Sequence, residues 1–212
     1  MGTHGRTGNL LGILKTNLRR QFPLPALAAL ALMALTGLMF NINSLEGDAV
    51  ARPLETLLIW IGPALLATVF LPEQNPEIRD VVRARQTSYL QVCLLRILYS
   101  VLTVVLLILV FTGIMRAGES RVLPYHIWGS ICSALLLGAL GLAISGVTGN
   151  AAGGLMACML YYLASYGIGR KLGAFSLFSM SKGAVQGKGW QLLAAVLLVA
   201  AALYIMKRRR QI

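Results

Sequence analysis

The side chains best placed to do chemistry lie in one polar stretch, residues 71–96, between two apolar runs. Those that we single out are Glu73, Glu77, Arg79, Asp80, Arg83, Arg85 and Gln86. Clusters of carboxylates can hold a metal ion, but arginines interleave with these acids and would neutralise them. The pattern therefore favours charge contacts with another molecule over metal chemistry.

Local signals predict that part of this stretch forms a short helix, at about residues 76–86. Asn75 can accept a hydrogen bond from the free N–H groups of the following turn, and Pro76 suits the first helical position. Glu77 and Asp80 lie where the helix dipole favours negative charge. The outward row of this helix would consist of Arg79, Arg83 and Gln86. Such a row can contact a soluble partner or anionic lipid, and the sequence leaves both open.

Catalytic arrangements lack their partners in this sequence. Residues 187–189, Gly-Lys-Gly, have no hydroxyl residue after the lysine, which a phosphate-binding loop requires. Ser145 would need a general base on a neighbouring helix, yet His126 is the only histidine after residue 4 and is expected at the end of a span. We therefore expect neither an enzyme nor a resident cofactor in this chain.

The composition indicates an integral membrane protein. Of 212 residues, 57% are hydrophobic and 12% are charged, with a mean hydropathy of +0.73. The net charge of +12 is explained by membrane topology, so we expect no nucleic-acid partner. The cysteines have no CxxC or Cys/His spacing and are expected to be small buried side chains: Cys93, Cys132 and Cys158.

Six apolar stretches are each close to the ~20 residues that span a bilayer as a helix. They cover residues 24–42, 54–71, 97–115, 126–147, 151–169 and 190–206. Glu55 and Arg96 are expected at span ends, so no span would carry a charge in its interior, which disfavours an ion relay. Small residues predict close packing of the fourth and fifth spans: Gly138, Gly141, Gly146, Gly149, Gly153 and Gly154.

The N-terminal segment is expected to lie outside the bilayer core. Residues 1–9 are polar and glycine-rich, which predicts a flexible start. Over residues 10–22 the leucines share one helical stripe, and the basic residues lie off that stripe. This pattern is typical of an amphipathic helix in the membrane interface. Its expected interfacial cations are Lys15, Arg19 and Arg20.

The distribution of positive charge predicts that both termini are cytoplasmic. With six spans, 12 of the 19 basic residues fall on the cytoplasmic side and seven on the other. The cytoplasmic side would hold the polar segment 72–90 and the basic tail 207–212. The extracellular side would hold residues 170–189, which are apolar between Leu172 and Met180, so the sequence leaves open whether part of this segment re-enters the membrane.

In its organisation, nearly the whole chain resembles the six-span permease subunits of type-2 ABC exporters. That family has an amphipathic elbow helix, a glutamate ending span two, a short coupling helix, a small polar pair and a basic residue where span three begins. The matching parts here are residues 10–22, Glu73, residues 76–86, Thr87-Ser88 and Arg96. Where the family usually has Gly-Thr, this chain has Glu77-Ile78.

The resemblance implies an all-α integral membrane subunit with an N-terminal interfacial helix, six spans within residues 24–206, cytoplasmic termini and a cytoplasmic coupling helix. It implies a second permease subunit, identical or homologous, and two copies of a separate ABC ATP-binding subunit that carries ATP and magnesium. Spans one, two and five line the pathway in that family. The implied substrate is amphipathic, a peptide, lipid or drug, and the implied location is a bacterial cell membrane.

Two other functions stay open from the sequence alone. A non-transporting immunity or sensor subunit that regulates or sequesters a partner would share the fold, and only dependence on an ATPase would separate it from an exporter. A membrane enzyme acting on lipid is disfavoured because no catalytic arrangement is present. The spans consist mostly of Leu, Ala and Gly, so they do not indicate which substrate is moved.

Overall fold

The computed structural model describes residues 22–70, 89–183 and 187–209. All regular secondary structure within these ranges is helical. The long helices are α1 (Pro23–Met39), α4 (Tyr89–Ala117), α5 (Pro124–Thr148), α6 (Ala151–Leu172) and α7 (Lys188–Arg209). Two short helices between α1 and α4 are α2 (Ala51–Thr56) and α3 (Ile61–Leu66).

Five apolar helical stretches in the described ranges are long enough to cross a membrane. They are Gly47–Leu66, Gln91–Ala117, Pro124–Thr148, Ala151–Gly169 and Lys188–Met206. The helix α1 is also apolar, but its 17 residues span only ~25 Å at 1.5 Å per residue. The all-helical class is therefore confirmed within the described ranges, and the five stretches are compatible with a multi-pass membrane protein. Six spans with both termini inside remain a prediction.

The second apolar stretch is a broken helix rather than a continuous one. The 3-10 turn Gly47–Val50 precedes α2, and a second 3-10 turn, Leu58–Trp60, separates α2 from α3. At this break the Trp60 N–H donates to the Leu57 carbonyl at 3.1 Å. The Thr56 carbonyl accepts a hydrogen bond from the Tyr162 hydroxyl of α6, also at 3.1 Å. A side chain from another helix thus satisfies backbone at the break, as an apolar medium requires.

The helix α5 is central, and the other long helices lie around it. α5 packs against α3, α4, α6 and α7 and is mostly buried. The helix α4 instead exposes a row of leucines with a spacing of three or four residues: Leu94, Leu98, Leu102, Leu106 and Leu109. This spacing places them on one face, which suits contact with lipid chains.

Small residues allow α3 and α6 to approach α5 at backbone distance. A methyl group on Gly62 would overlap the Ala134 carbonyl oxygen, and one on Gly154 would overlap the Gly141 carbonyl oxygen. A methyl group on Gly138 would lie 2.8 Å from the Gly62 backbone. The close packing predicted between the fourth and fifth spans is therefore confirmed for Gly141 and Gly154, whereas Gly138 contacts α3 instead.

One end of the bundle, which we name the cap end, contains three connections between helices. The first two, residues 40–50 and 118–123, bind each other: the Ser44 N–H donates to the Gly118 carbonyl at 2.9 Å, and the Arg121 N–H donates to the Leu45 carbonyl at 2.9 Å. We name the third connection, residues 173–183, the cap. Its short 3-10 turns are Gly173–Phe175 and Met180–Lys182.

The opposite end, which we name the tail end, contains the tight turn between α5 and α6 and the end of α7. Gly149 follows α5 with φ 71°, a left-handed conformation that favours glycine. The Asn150 side chain accepts a hydrogen bond from the Ala152 N–H at 2.9 Å and so caps α6. The predicted separation of the fourth and fifth spans at residues 148–150 is confirmed.

Candidate functional site

A buried ion pair lies at the cap end, between α2 and the first residue of α7. Lys188 Nζ is 3.4 Å from Glu55 Oε1, and the two side chains are 2% and 0% exposed. Two charges withdrawn from water are tolerated only where their other protons and lone pairs are also hydrogen-bonded. The partners around each charge therefore decide what this pair can do.

The Lys188 ammonium has an acceptor for each of its three protons. Besides Glu55, Nζ donates to Ser133 Oγ of α5 at 2.7 Å and to the Leu177 carbonyl of the cap at 3.2 Å. The Ser133 hydroxyl in turn donates to Gln191 Oε1 at 3.1 Å. Because an ammonium group has three donors, the hydrogen-bonding capacity of Lys188 is fully used.

The Glu55 carboxylate binds the second half of the cap. Its Oε1 accepts from the Met180 N–H at 2.8 Å, and its Oε2 accepts from the Ser181 N–H at 3.0 Å. These are successive backbone groups at the start of the second 3-10 turn of the cap. Hydrogen bonds to an ionised acceptor are stronger than neutral ones, so Glu55 is a strong anchor for this turn.

The first half of the cap is bound by helices α6 and α7. Gln191 is fully buried, and its Nε2 donates to the Ala174 and Ser176 carbonyls at 2.9 Å each. The Tyr161 hydroxyl donates to the Phe175 carbonyl at 2.7 Å. Together with the bonds of Lys188 and Glu55, these contacts satisfy six backbone groups of the cap. Irregular backbone is tolerated at membrane depth where protein groups satisfy it in this way.

Apolar contacts add to this polar network. Leu177 and Met180 are buried, and the Phe178 ring packs edge-on against the Tyr162 ring, with centroids 5.1 Å apart. The Met180 side chain occupies the space that Gly129 leaves on α5, since a methyl group there would overlap the Met180 sulfur. The cap is therefore fixed to α2, α5, α6 and α7 by both kinds of contact.

The network can position the cap, but it offers no reactive group. Its one acid is ion-paired and accepts two further hydrogen bonds, and its one amine has all of its donors in use. Among the described residues, no group of three His, Cys, Asp or Glu side chains is placed to hold a metal ion. The arrangement therefore suits a mechanical role rather than a chemical one.

The structure places Glu55 and Arg96 within helical stretches that are long and apolar enough to cross a membrane, and both side chains are buried. The stretch that contains Glu55 begins at Gly47, so Glu55 lies near the middle of Gly47–Leu66 rather than at its end. Arg96 lies inside α4 and is only 5% exposed. Lys188, assigned to the extracellular segment, begins α7. The one sequence signal for this site was an acid inside an apolar run. The sequence around Glu55 does not indicate its partner, because Lys188 lies 133 residues later.

The serine and histidine considered from the sequence do not meet. Both lie on α5, 19 residues and therefore ~28 Å apart along the helix axis. Ser145 Oγ donates to the Leu142 carbonyl at 2.9 Å, and His126 Nδ1 accepts from the Leu123 N–H at 3.2 Å. The expectation of buried cysteines is confirmed for Cys93, Cys132 and Cys158.

The residues predicted to bind a partner lie outside the described part of the chain. They are Glu73, Glu77, Arg79, Asp80, Arg83, Arg85 and Gln86. Of the predicted coupling segment 72–90, only Tyr89 and Leu90 are described, as the start of α4. The predicted interfacial cations also lie outside the described ranges: Lys15, Arg19 and Arg20. The roles of both sets remain predictions.

Comparisons with known proteins identify no relative. No family model, no curated protein and no solved structure matches this chain. The resemblance to exporter permeases therefore depends on the organisation of the sequence alone.

Proposed function

We propose that this chain is the transmembrane permease subunit of an ATP-driven ABC exporter for an amphipathic substrate. In this proposal α1 also crosses the membrane, as the first of six spans, the cap end faces outward, and the tail end faces the cytoplasm. The chain acts with a second permease subunit, identical or homologous, in the cell membrane. Two copies of a separate ATP-binding subunit bind ATP and magnesium.

The observation that carries the proposal is the difference between the two ends of the bundle. At the cap end, a folded segment of irregular backbone packs onto the helices through buried charges. At the tail end, the polar stretch 71–88 separates α3 from α4 in sequence, and α7 ends among basic residues. An exporter needs such a distinction, because one end receives mechanical input from an ATPase and the other end releases substrate.

The broken second stretch offers a route for that input. Residues 71–88 connect to α3 through residues 67–70 and to α4 directly, so a displacement of this stretch would act on both helices. The helix α3 contacts α5 at backbone distance through Gly62, so its movement is transmitted to the central helix. A partner can bias such a movement only if its contacts differ between the two states, and Arg79, Arg83 and Arg85 would supply those contacts.

The test is co-purification of this chain with a candidate ATP-binding subunit, followed by measurement of ATP turnover. Glu73→Ala and Arg83→Glu should weaken association or reduce turnover by roughly five-fold or more, a typical size for coupling between sites. The reason is that both residues belong to the predicted contact with the partner and lie outside the described helices.

The matched controls are Glu46→Ala and Arg121→Glu, since both of these charged residues are exposed at the cap end. They should leave association and turnover unchanged. Full association and turnover in a well-folded Glu73→Ala/Arg83→Glu protein would contradict the coupling role. Failure to find any ATPase partner would instead favour the regulatory or immunity subunit.

A further inference from the structure

The two halves of the cap are bound by different helices. Its first half, residues 174–177, bonds to Lys188 and Gln191 of α7 and to Tyr161 of α6. Its second half bonds to Glu55 of α2 through the Met180 and Ser181 N–H groups. The direct bond between these two sets of anchors is the ion pair of Glu55 and Lys188. Separation of α2 from α7 would therefore have to break this pair.

The backbone around the ion pair contains a short helix, a 3-10 turn and two glycines, which permit α2 to separate from α7. The helix α2 has only six residues, and the 3-10 turn Leu58–Trp60 disconnects it from α3. Mid-helix 3-10 turns often mark hinges. The cap is bounded by Gly173 and Gly183, with φ of 52° and 72°. Glycine accepts these angles and many others, so both ends of the cap can reorient at low cost.

We propose that Glu55 and Lys188 form a releasable latch, and that breaking it lets α2 and the second half of the cap move away from α7 and open the cap end. An apolar pair of similar volume would hold two helices as well or better. A charge pair differs in that both groups regain their hydration when they separate into water, which offsets the attraction that is lost. The latch is a property of this chain alone and does not require the exporter function.

Opening is measured by the reaction of a cysteine, introduced by Ser179→Cys, with a water-soluble maleimide in the purified full chain. Ser179 is buried in the second half of the cap, and its side chain does not cap the 3-10 turn that follows. The native cysteines are buried and give the background rate. The introduced thiol should react slowly while the latch is closed, and Glu55→Gln should raise its rate roughly ten-fold or more.

Glu46→Gln is the matched control, because this acid is exposed at the same end and should leave the rate unchanged. Lys188→Met should raise the rate further than Glu55→Gln, since it leaves a buried carboxylate without its counter-ion. In the double variant Glu55→Gln/Lys188→Met, the fold-increase in reaction rate should be smaller than the product of the two single fold-increases. This is expected because the two residues bind each other, so the second substitution removes an interaction that is already lost.

Size-exclusion profiles and helix content identify variants that remain folded. If Lys188→Met and the double variant cannot be purified, the latch is tested by comparing the maleimide reaction rate of Glu55→Gln with that of Glu46→Gln. A folded Glu55→Gln protein in which the introduced thiol stays as protected as in the parent would overturn the latch. Independent, multiplicative effects of the two single variants would overturn the direct coupling. Neither result depends on an ATPase, so failure of the latch and failure of the exporter function can be told apart.

Discussion

At the scale of single residues, Gln191 shows how one side chain supports irregular backbone inside an apolar bundle. Its amide donates to two cap carbonyls, and its oxygen accepts from Ser133, which itself accepts from Lys188. A buried carbonyl that loses its donor keeps the cost of its lost hydration. The amide is therefore more important to the cap than a single hydrogen bond suggests.

We expect Gln191→Leu to destabilise the protein by about 2–4 kcal/mol, because two buried carbonyls and one hydroxyl lose their partner at about 1–3 kcal/mol each, with partial relaxation. The thermal midpoint in detergent should fall by roughly 4–16 °C, at about 2–4 °C per kcal/mol for a chain of this size. Gln91→Leu on the exposed face of α4 is the matched control and should change little. An unchanged midpoint in the Gln191 variant would show that the cap does not depend on this amide.

At the scale of helices, the sequence predicts that a helix is present better than it predicts whether that helix is continuous. The apolar runs correctly indicated the helices of the third to sixth spans, because a run of this length has few alternatives in a membrane. The break between α2 and α3 was missed. Gly62-Pro63 is a local signal there, since proline suits the first turn of a helix, but the bond that satisfies the Thr56 carbonyl comes from Tyr162, 106 residues away. The buried charges were missed for the same reason, as Glu55 and Lys188 become partners only through the fold.

Glycine substitutions test the helix contacts directly. Gly62→Ala and Gly154→Ala should lower the thermal midpoint, because each added methyl would overlap a backbone carbonyl oxygen that cannot move aside without separating two helices. We expect a loss of about 1–3 kcal/mol for each.

Gly37→Ala and Gly113→Ala are the controls, since no atom lies within 4 Å of the added methyl group at either helical position. Alanine should be neutral or stabilise by about 0.5–1 kcal/mol there, because glycine is the weaker helix former. Equal effects at all four positions would mean that close approach of the helices does not limit stability.

At the scale of the whole molecule, exposed aromatic and charged residues indicate how the bundle sits in a membrane. Trp128 and Trp190 are both exposed near the cap-end starts of α5 and α7. Tryptophan favours the boundary between lipid and water, so this level of the bundle should lie at the interface. The ion pair lies at the same level, within protein, and water is close to it when the cap opens.

Single cysteines at the two ends test the orientation. Glu119→Cys at the cap end should react with an impermeant maleimide in intact cells, because this end is predicted to face outward. Arg208→Cys at the tail end should react only after the cells are permeabilised, and both positions are exposed. The native chain, whose three cysteines are buried, gives the background. The reverse pattern would contradict the predicted topology.

The long sequence separation of Glu55 and Lys188 has a consequence for how the protein is made. The carboxylate emerges from the ribosome 133 residues before its counter-ion. At about 5–20 residues per second this interval lasts roughly 7–27 s. During that time the acid has no counter-ion, and an unpaired carboxylate stays in water at the interface rather than within the apolar layer. The stretch Gly47–Leu66 should therefore wait in the insertion machinery, or at the interface, until α7 arrives. The ion pair can form only once α7 has entered the bundle, whatever the order in which the other helices enter the bilayer.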